Sequence, residues 1–409
     1  MKKKIKFAFI SLILIALTTP ICSAESDVDI HGFISQGYLD SSDNNFQAPT
    51  NASTFEFNEF GINFGQELTD KLHLGMQIFS RDLGSYGNNE TSLDWAYGDY
   101  RWKDWLGMRA GKIKTPHGLY NETRDVDILR NWIFLPQSVY PELTRDATLS
   151  LIGGGFYGNI DLNNIGTISY QLLGGTQNIS ANEALAQALM GITYNGTEVQ
   201  NEAIDVKSKY VLGLEWGTPL DGLRVGGTYS KAEIDLTSVY DFTASATPEF
   251  GAGYYYTELD SDTYVVSVEY AWNNLLLVSE YTWSDRKVDF GTPYTNKLDG
   301  WYFGGTYRFT DWFELGGYYS EYYADRKNRD GDGIDAGGNQ WNPKHRAFTK
   351  DTCLTTRFDV NEYFAIKLEA HALEGTAILS GIDNPVTGDA SDQFTKSWNM
   401  FAAKITYSF

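Results

Sequence analysis

Along most of this chain, apolar and polar residues alternate one by one. In the last segment Phe401, Ala403, Ile405, Tyr407 and Phe409 share one face, and Ala402, Lys404, Thr406 and Ser408 share the other. Leu72, Leu74, Met76 and Ile78 alternate with His73, Gly75 and Gln77 in the same way. So do Tyr264, Val266, Val268, Tyr270 and Trp272 with Val265, Ser267, Glu269 and Ala271, and Phe364, Ile366, Leu368 and Ala370 with Ala365, Lys367, Glu369 and His371. A period of two with one greasy and one polar face is the pattern of a strand between two unlike media. Each run has about the length a tilted strand needs to cross a bilayer.

The connections alternate as well. Short turns are expected at 68–71, 102–105, 217–222, 273–274, 310–312 and 360–362. Long polar segments are expected at 40–51, 80–91, 114–146, 176–205, 235–262, 285–297, 323–346 and 375–396. Counting strands between them gives sixteen. The expected fold is therefore all-β, a 16-stranded antiparallel transmembrane β-barrel. An even count puts both termini on the short-turn, periplasmic side, and sixteen strands leave a watery channel where eight would be filled by side chains. A soluble sandwich or propeller would bury its apolar faces against each other and would not pair short turns with long loops.

Residues 1–24 read as a cleaved signal peptide: Lys2, Lys3, Lys4 and Lys6, then an apolar run from Phe7 to Leu17, then small residues ending at Ala24. The expected mature domain is 25–409. The whole chain carries a net charge of −21. Without the leader, 28 basic face 53 acidic residues, a net charge of −25. Such acidity argues against nucleic acid as a partner. Aromatic residues make up 15% and glycines number 40, which suits aromatic girdles and curved strands. Cys353 is the one cysteine left after cleavage, so no internal disulfide is expected, and it reads as a small strand residue.

The segment 114–146 is the longest connection, and it is too apolar to wave in water. It holds Val126, Ile128, Leu129, Trp132, Ile133, Phe134, Leu135 and Val139. A long loop of this kind is packed and functional, so it is expected to fold inward and narrow the lumen. Lys112, Lys114, Arg124, Asp125, Asp127, Arg130 and Arg145 are the candidate constriction residues, with Glu122, Glu142 and Asp146 among them. From the barrel wall, Arg224, Arg308, Arg357, Lys367, Glu369 and His371 have lumen parity. Facing charges across a narrow opening set which solutes pass. The arginines have a second reading, in which they pair with adjacent carboxylates and pin the loop.

The stretches Gly111 to Asp125, Leu135 to Tyr140 and Arg145-Asp146 resemble the third-loop region of proteobacterial trimeric porins, in the branch that includes phosphate-selective and dicarboxylate-type channels. Lys367 to His371, followed by Glu374-Gly375-Thr376, resembles a late-strand motif of that group. A terminal aromatic such as Phe409 likewise resembles the sorting signal of outer-membrane barrels. The resemblance implies a homotrimer in the outer membrane of a Gram-negative bacterium, bounded by lipid and lipopolysaccharide. It implies passive diffusion of ions and small hydrophilic solutes, with the third loop at the constriction and no cofactor. It transfers no substrate, and no dense arginine ladder of the sort a phosphate-selective pore needs is visible. A substrate-specific channel for small anions is the alternative within channels.

Weaker signals complete the picture. Asp330 and Asp332 have part of a calcium-loop spacing, but Asn339 stands where a glutamate is wanted, so a solvated acidic turn is the expectation. Ser180 and Glu183 form a capping box before a short helix in the fourth long loop. The five histidines show no metal spacing, and no Ser/His/Asp set can be assembled, so no enzyme is expected; an outer-membrane barrel hydrolase is the rival class.

Overall fold

The computed structural model describes residues 28–409 except 85, 180–184, 186–191, 195–196, 242–251, 290–292, 336–337, 340–342, 382 and 385–393. The expected leader and capping-box helix lie outside these described residues. The strands follow the alternation: β1 (Asp29–Ser41), β2 (Phe57–Thr69), β3 (Leu72–Leu83), β4 (Thr91–Lys103), β5 (Leu106–Lys114), β6 (Ser150–Asp161) and β7 (Thr167–Ile179). After a short β8 (Ile192–Tyr194) come β9 (Thr197–Gly217), β10 (Leu223–Asp241), β11 (Ala252–Trp272), β12 (Leu275–Asp289), β13 (Tyr294–Thr310) and β14 (Phe313–Tyr323). A two-strand ribbon, β15 (Ile334–Asp335) and β16 (Gly338–Asn339), precedes β17 (Phe348–Asp359), β18 (Phe364–Gly375) and β19 (Ser397–Ser408).

Without β8, β15 and β16, sixteen antiparallel strands pair each with the next, and β1 closes the ring by pairing with β19. The seam is fully hydrogen bonded: Gly32 and Phe409 exchange both backbone bonds at 3.0 Å. Closure leaves the sixteen-stranded ring without a free edge, which is what permits strands to stand in lipid.

The two faces separate as the alternation requires. Ile34, Leu74, Phe156, Leu172, Leu214, Val266, Phe303, Leu354, Phe401 and Ile405 are all exposed, while Lys404, Thr406, Lys367 and Glu369 on the inner face are buried. So broad an apolar exterior is a lipid-facing surface. No described helix is long and apolar enough to cross a membrane.

The structure departs from expectation along one side. Much of 197–205, 235–262 and 285–297 is strand rather than loop, so that β9 and β11 each run 21 residues. About 9–11 residues suffice to cross the hydrocarbon, so this part of the wall stands clear of the membrane. There the inner face carries Ile179, Ile204 and Val206 packed with Ala232, Ile234 and Leu236, and the outer face carries Lys207 paired with Asp235. Above the lipid the outer medium is water, so the polarity of the two faces is inverted and the segments read as polar loops.

The two-faced wall yields a stability prediction. Ile405→Arg, within the outward apolar band of β19, is expected to lower unfolding free energy by about 2–4 kcal/mol in lipid vesicles. Ser397→Arg, at the rim of the same face, is expected to cost about 0–1 kcal/mol. Urea titration checks both, and equal effects would contradict the assigned lipid depth.

Candidate functional site

Between β5 and β6 the chain leaves the wall as an irregular segment, 115–149. It has three single turns of 3-10 helix, Asn121–Thr123, Asp127–Leu129 and Glu142–Thr144, and ends in α1 (Arg145–Leu149). Pro136 and Pro141 break any longer helix, and the Pro136 carbonyl accepts from both Val139 and Tyr140 N–H. All ten residues from Asn131 to Tyr140 are buried. Trp132, Leu135, Val139 and Tyr140 pack on Val265, Val278, Tyr302, Tyr318 and Cys353 of the wall. Phe134 stacks on Phe57 at 5.3 Å and meets Phe46 edge-on at 5.4 Å, within a second cluster that includes Trp398. Burying each such side chain is worth about 1.5–3 kcal/mol. A segment that touches β2, β11 to β14 and β17 to β19 of a closed ring has crossed its interior.

Inside a barrel an irregular backbone needs partners that a ladder would otherwise supply. The wall provides them. Glu369 accepts from Ile133 N–H at 2.7 Å and Phe134 N–H at 3.1 Å. Arg357 donates to the carbonyls of Ile128 (2.6 Å) and Arg130 (3.1 Å). Glu280 accepts from Leu119 N–H (2.9 Å), the Tyr140 hydroxyl (2.5 Å), Ser267 (2.6 Å) and Tyr302 (2.7 Å). Gly118, at φ +59°, makes room for this cluster: a Cβ there would sit 2.3 Å from the Tyr140 oxygen and 2.4 Å from Glu280 Oε1.

Asp127 is the deepest ionic latch. Its carboxylate meets Lys367 at 3.0 Å, Lys404 at 3.3 Å and the Thr406 hydroxyl at 2.7 Å, and Lys404 also bonds Glu59. Burial alone would raise its pKa, but Lys367, Lys404 and Arg130 hold it well below the usual carboxylate range. At the other end Arg124 bonds Glu142 (2.8 Å), and Arg81 bonds Glu142 (3.0 Å) and Asp146 (3.4 Å). Arg145 lies 3.3 Å from Asp94 and 2.9 Å from Asp146. Against the effect of burial, Arg124 and Arg81 bring Glu142 down to about 2.

The sequence-derived residues thus fall into two groups. Arg124, Asp125, Asp127 and Arg145 lie buried in ion pairs, and Arg130 staples its own loop by donating to the carbonyls of Arg124, Trp132 and Ile133. Lys114 reaches Asp125 at 2.6 Å. Lys112 donates to the Leu93 carbonyl and stands opposite exposed Ile152 in the register. On the wall, Arg357, Lys367, Glu369 and His371 are buried under or beside the loop. Arg224 and Arg308 stay about one-third exposed, with Arg224 on Glu215 and Glu269, and Arg308 on Glu314 and Asp359. Asp330 accepts from Asp332 N–H in an exposed turn, and Asp332 pairs with Lys344.

Several partners were not singled out from sequence: Glu59, Arg81, Asp94, Glu280, Lys404, and a group beside the loop's open edge. In that group Arg109 bonds Asp99 at 2.8 Å, lies 3.9 Å from Glu122 and stacks over Tyr157 at 4.2 Å. Glu122, with 38% of its side chain exposed, also accepts from Gln171 on β7. Lumen parity would have found all of these except Asp94 and Glu122. Asp94 is turned inward by a register shift between Gln77 and Ile78, and Glu122 was already named among the charges of the loop.

No family model matches the chain, and no curated protein matches it. Solved structures do. The outer membrane channel DcaP of Acinetobacter baumannii is 11% identical over 94% of this chain and 97% of its own, with a TM-score of 0.52. An anion-selective porin from Comamonas acidovorans is 11% identical over 94% and 100%, with a TM-score of 0.54. The trimer form of in-vitro folded OmpT, an outer membrane protein of Vibrio cholerae, is 13% identical over 94% and 99%, with a TM-score of 0.52. The shared property is the fold, the sixteen-stranded barrel of porins.

Two outcomes follow from the latches. Asp127→Asn leaves Lys367 without a carboxylate, a loss of about 3–5 kcal/mol in the hold on the loop. Faster hydrogen exchange of the 131–140 amides with an unchanged barrel is expected; unchanged exchange would show that the latch is idle. For Glu142 the folded pKa, about 2, lies below its unfolded value, so its stabilisation is full above about pH 4.3 and lost as pH falls through about 2. Loop exchange, corrected for intrinsic rate, should therefore show no pH dependence attributable to Glu142 between pH 7 and pH 5.

Proposed function

We propose that this chain is an outer-membrane channel through which ions and small hydrophilic solutes diffuse passively, with the segment 114–146 setting the bore. The observation that carries this reading is a lipid-type barrel exterior around a lumen crossed by one latched loop. A signal peptide over 1–24, a mature barrel over 25–409, periplasmic termini and contact with lipid and lipopolysaccharide belong to the same reading. So does a homotrimer, for which the trimer form of the Vibrio cholerae protein is the support.

The buried ions of the loop, Arg124, Asp125, Asp127, Arg130 and Arg145, act on solutes through loop position. The partly exposed groups act on them directly. Around the open edge of the loop stand four carboxylates, Asp99, Glu122, Glu215 and Glu269, against three guanidiniums, Arg109, Arg224 and Arg101, the last hydrogen bonded to Tyr157. Lys114 is neutralised by Asp125, and the Arg308/Arg357 group is balanced by Glu314 and Asp359. A negative surplus in a confined passage raises local cation concentration. The channel is therefore cation-preferring. The fold alone does not decide this, since the Comamonas protein of the same fold is anion-selective.

Planar-bilayer recording tests the reading. Ohmic steps with a reversal potential on the cation side are expected under a salt gradient, with Glu122→Gln/Glu215→Gln moving it toward anions. Arg124→Ala is expected to alter step size and noise more than selectivity. An anion preference in the wild type would favour the small-anion channel instead. Hydrolysis of lipid or peptide without conductance would overturn the channel altogether.

A further inference from the structure

Behind the loop, on the inner face of β17 and β18, three donors of unlike chemistry converge. Cys353 and His371 are direct partners across the two strands, and Glu369 lies two residues from His371 on the same face. The Cys353 sulfur is 3.9 Å from His371 Nε2, and Glu369 Oε2 is 3.3 Å from the same nitrogen. The three donor atoms all lie within 4.8 Å of one another, and all three residues are buried. We propose that Cys353, Glu369 and His371 bind a single divalent transition-metal ion of zinc-like preference.

The geometry is that of a metal site before contraction. A tetrahedral zinc ion with bonds of about 2.3 Å to sulfur and 2.0–2.1 Å to nitrogen and oxygen spaces its donors about 3.3–3.6 Å apart. The Nε2–Oε2 spacing already meets that, the sulfur–nitrogen spacing is slightly long, and the widest pair, within 4.8 Å, closes by side-chain rotation of up to about 1 Å. The nitrogen aimed at the cluster is Nε2, while Nδ1 lies 3.1 Å from both oxygens of Asp351. Asp351 in turn accepts from the Tyr318 hydroxyl at 3.1 Å. A carboxylate behind a histidine fixes its tautomer and orientation for metal binding. A thiol, an imidazole and a carboxylate together favour zinc over calcium or magnesium, which take oxygen donors. On binding, the Cys353 thiol gives up its proton, the sulfur–metal bond forms, and the proton leaves to solvent.

Because Glu369 also holds Ile133 and Phe134 N–H, an ion there would share its carboxylate with the strand of loop that crosses the lumen. The competing account is an ion triad without metal, His371 protonated between Asp351 and Glu369.

The site is enclosed, so loading belongs in the folding step. The full chain carrying Cys22→Ser, in which Cys353 is the only thiol, is refolded into detergent micelles with cobalt(II) and freed of excess metal. A thiolate-to-cobalt charge-transfer band with tetrahedral d–d bands, displaced by zinc, is expected. His371→Gln should abolish the tetrahedral bands, and Asp351→Asn should weaken zinc by about 10–100-fold. A folded barrel that shows no charge-transfer band would establish the metal-free triad and overturn the proposal. Cobalt retained equally after Cys353→Ser would place the ion elsewhere and overturn it as well.

Discussion

A charged or polar group enclosed by protein has to be met by protein, because no water remains to do so. In this molecule that constraint falls on a backbone with no regular structure of its own, threaded across a barrel. Its apolar residues find the aromatic patches of the wall, but its N–H and C=O groups find Glu369, Glu280 and Arg357. Much of what resembles a row of solute-facing charges along β17 to β19 is thereby committed to holding the chain. The partly exposed charges of β4, β5, β9, β10 and β11 pair mainly with one another instead.

The architecture was legible because lipid imposes a strict alternation, and alternation survives in a single sequence. Strand number, the short turns and the outward face of β19 all come from it. The upper reaches of β9 to β12 were hidden by the same rule, since water on the outside reverses which face is apolar. At the site, parity gives Lys367, Glu369 and His371 one face of β18, and in the structure that face is buried against the loop. What parity lacks is depth and register. It does not show that Asp127 ends between Lys367 and Lys404, or that a bulge turns Asp94 inward. It does not place Cys353 opposite His371.

The strongly negative charge of the chain also finds its place. Inside, the loop carboxylates Asp125, Asp127, Glu142 and Asp146 each meet at least one lysine or arginine. On the raised wall, Glu233, Asp235, Glu258, Asp260 and Asp262 line the outer parity of neighbouring strands, with Lys207 and Lys231 too few to offset them. Overall charge therefore describes the rim of this molecule better than its passage.

The ties between loop and wall join residues far apart along the chain: Asp127 reaches Thr406 across 279 positions, and Ile133 reaches Glu369 across 236. Such bonds cannot form until the last strands are in place, and bringing distant segments together is the slow part of folding. The strands that close the ring are thus also the ones that complete the berth of the loop, so a barrel that fails to close at β1 and β19 leaves the loop without it.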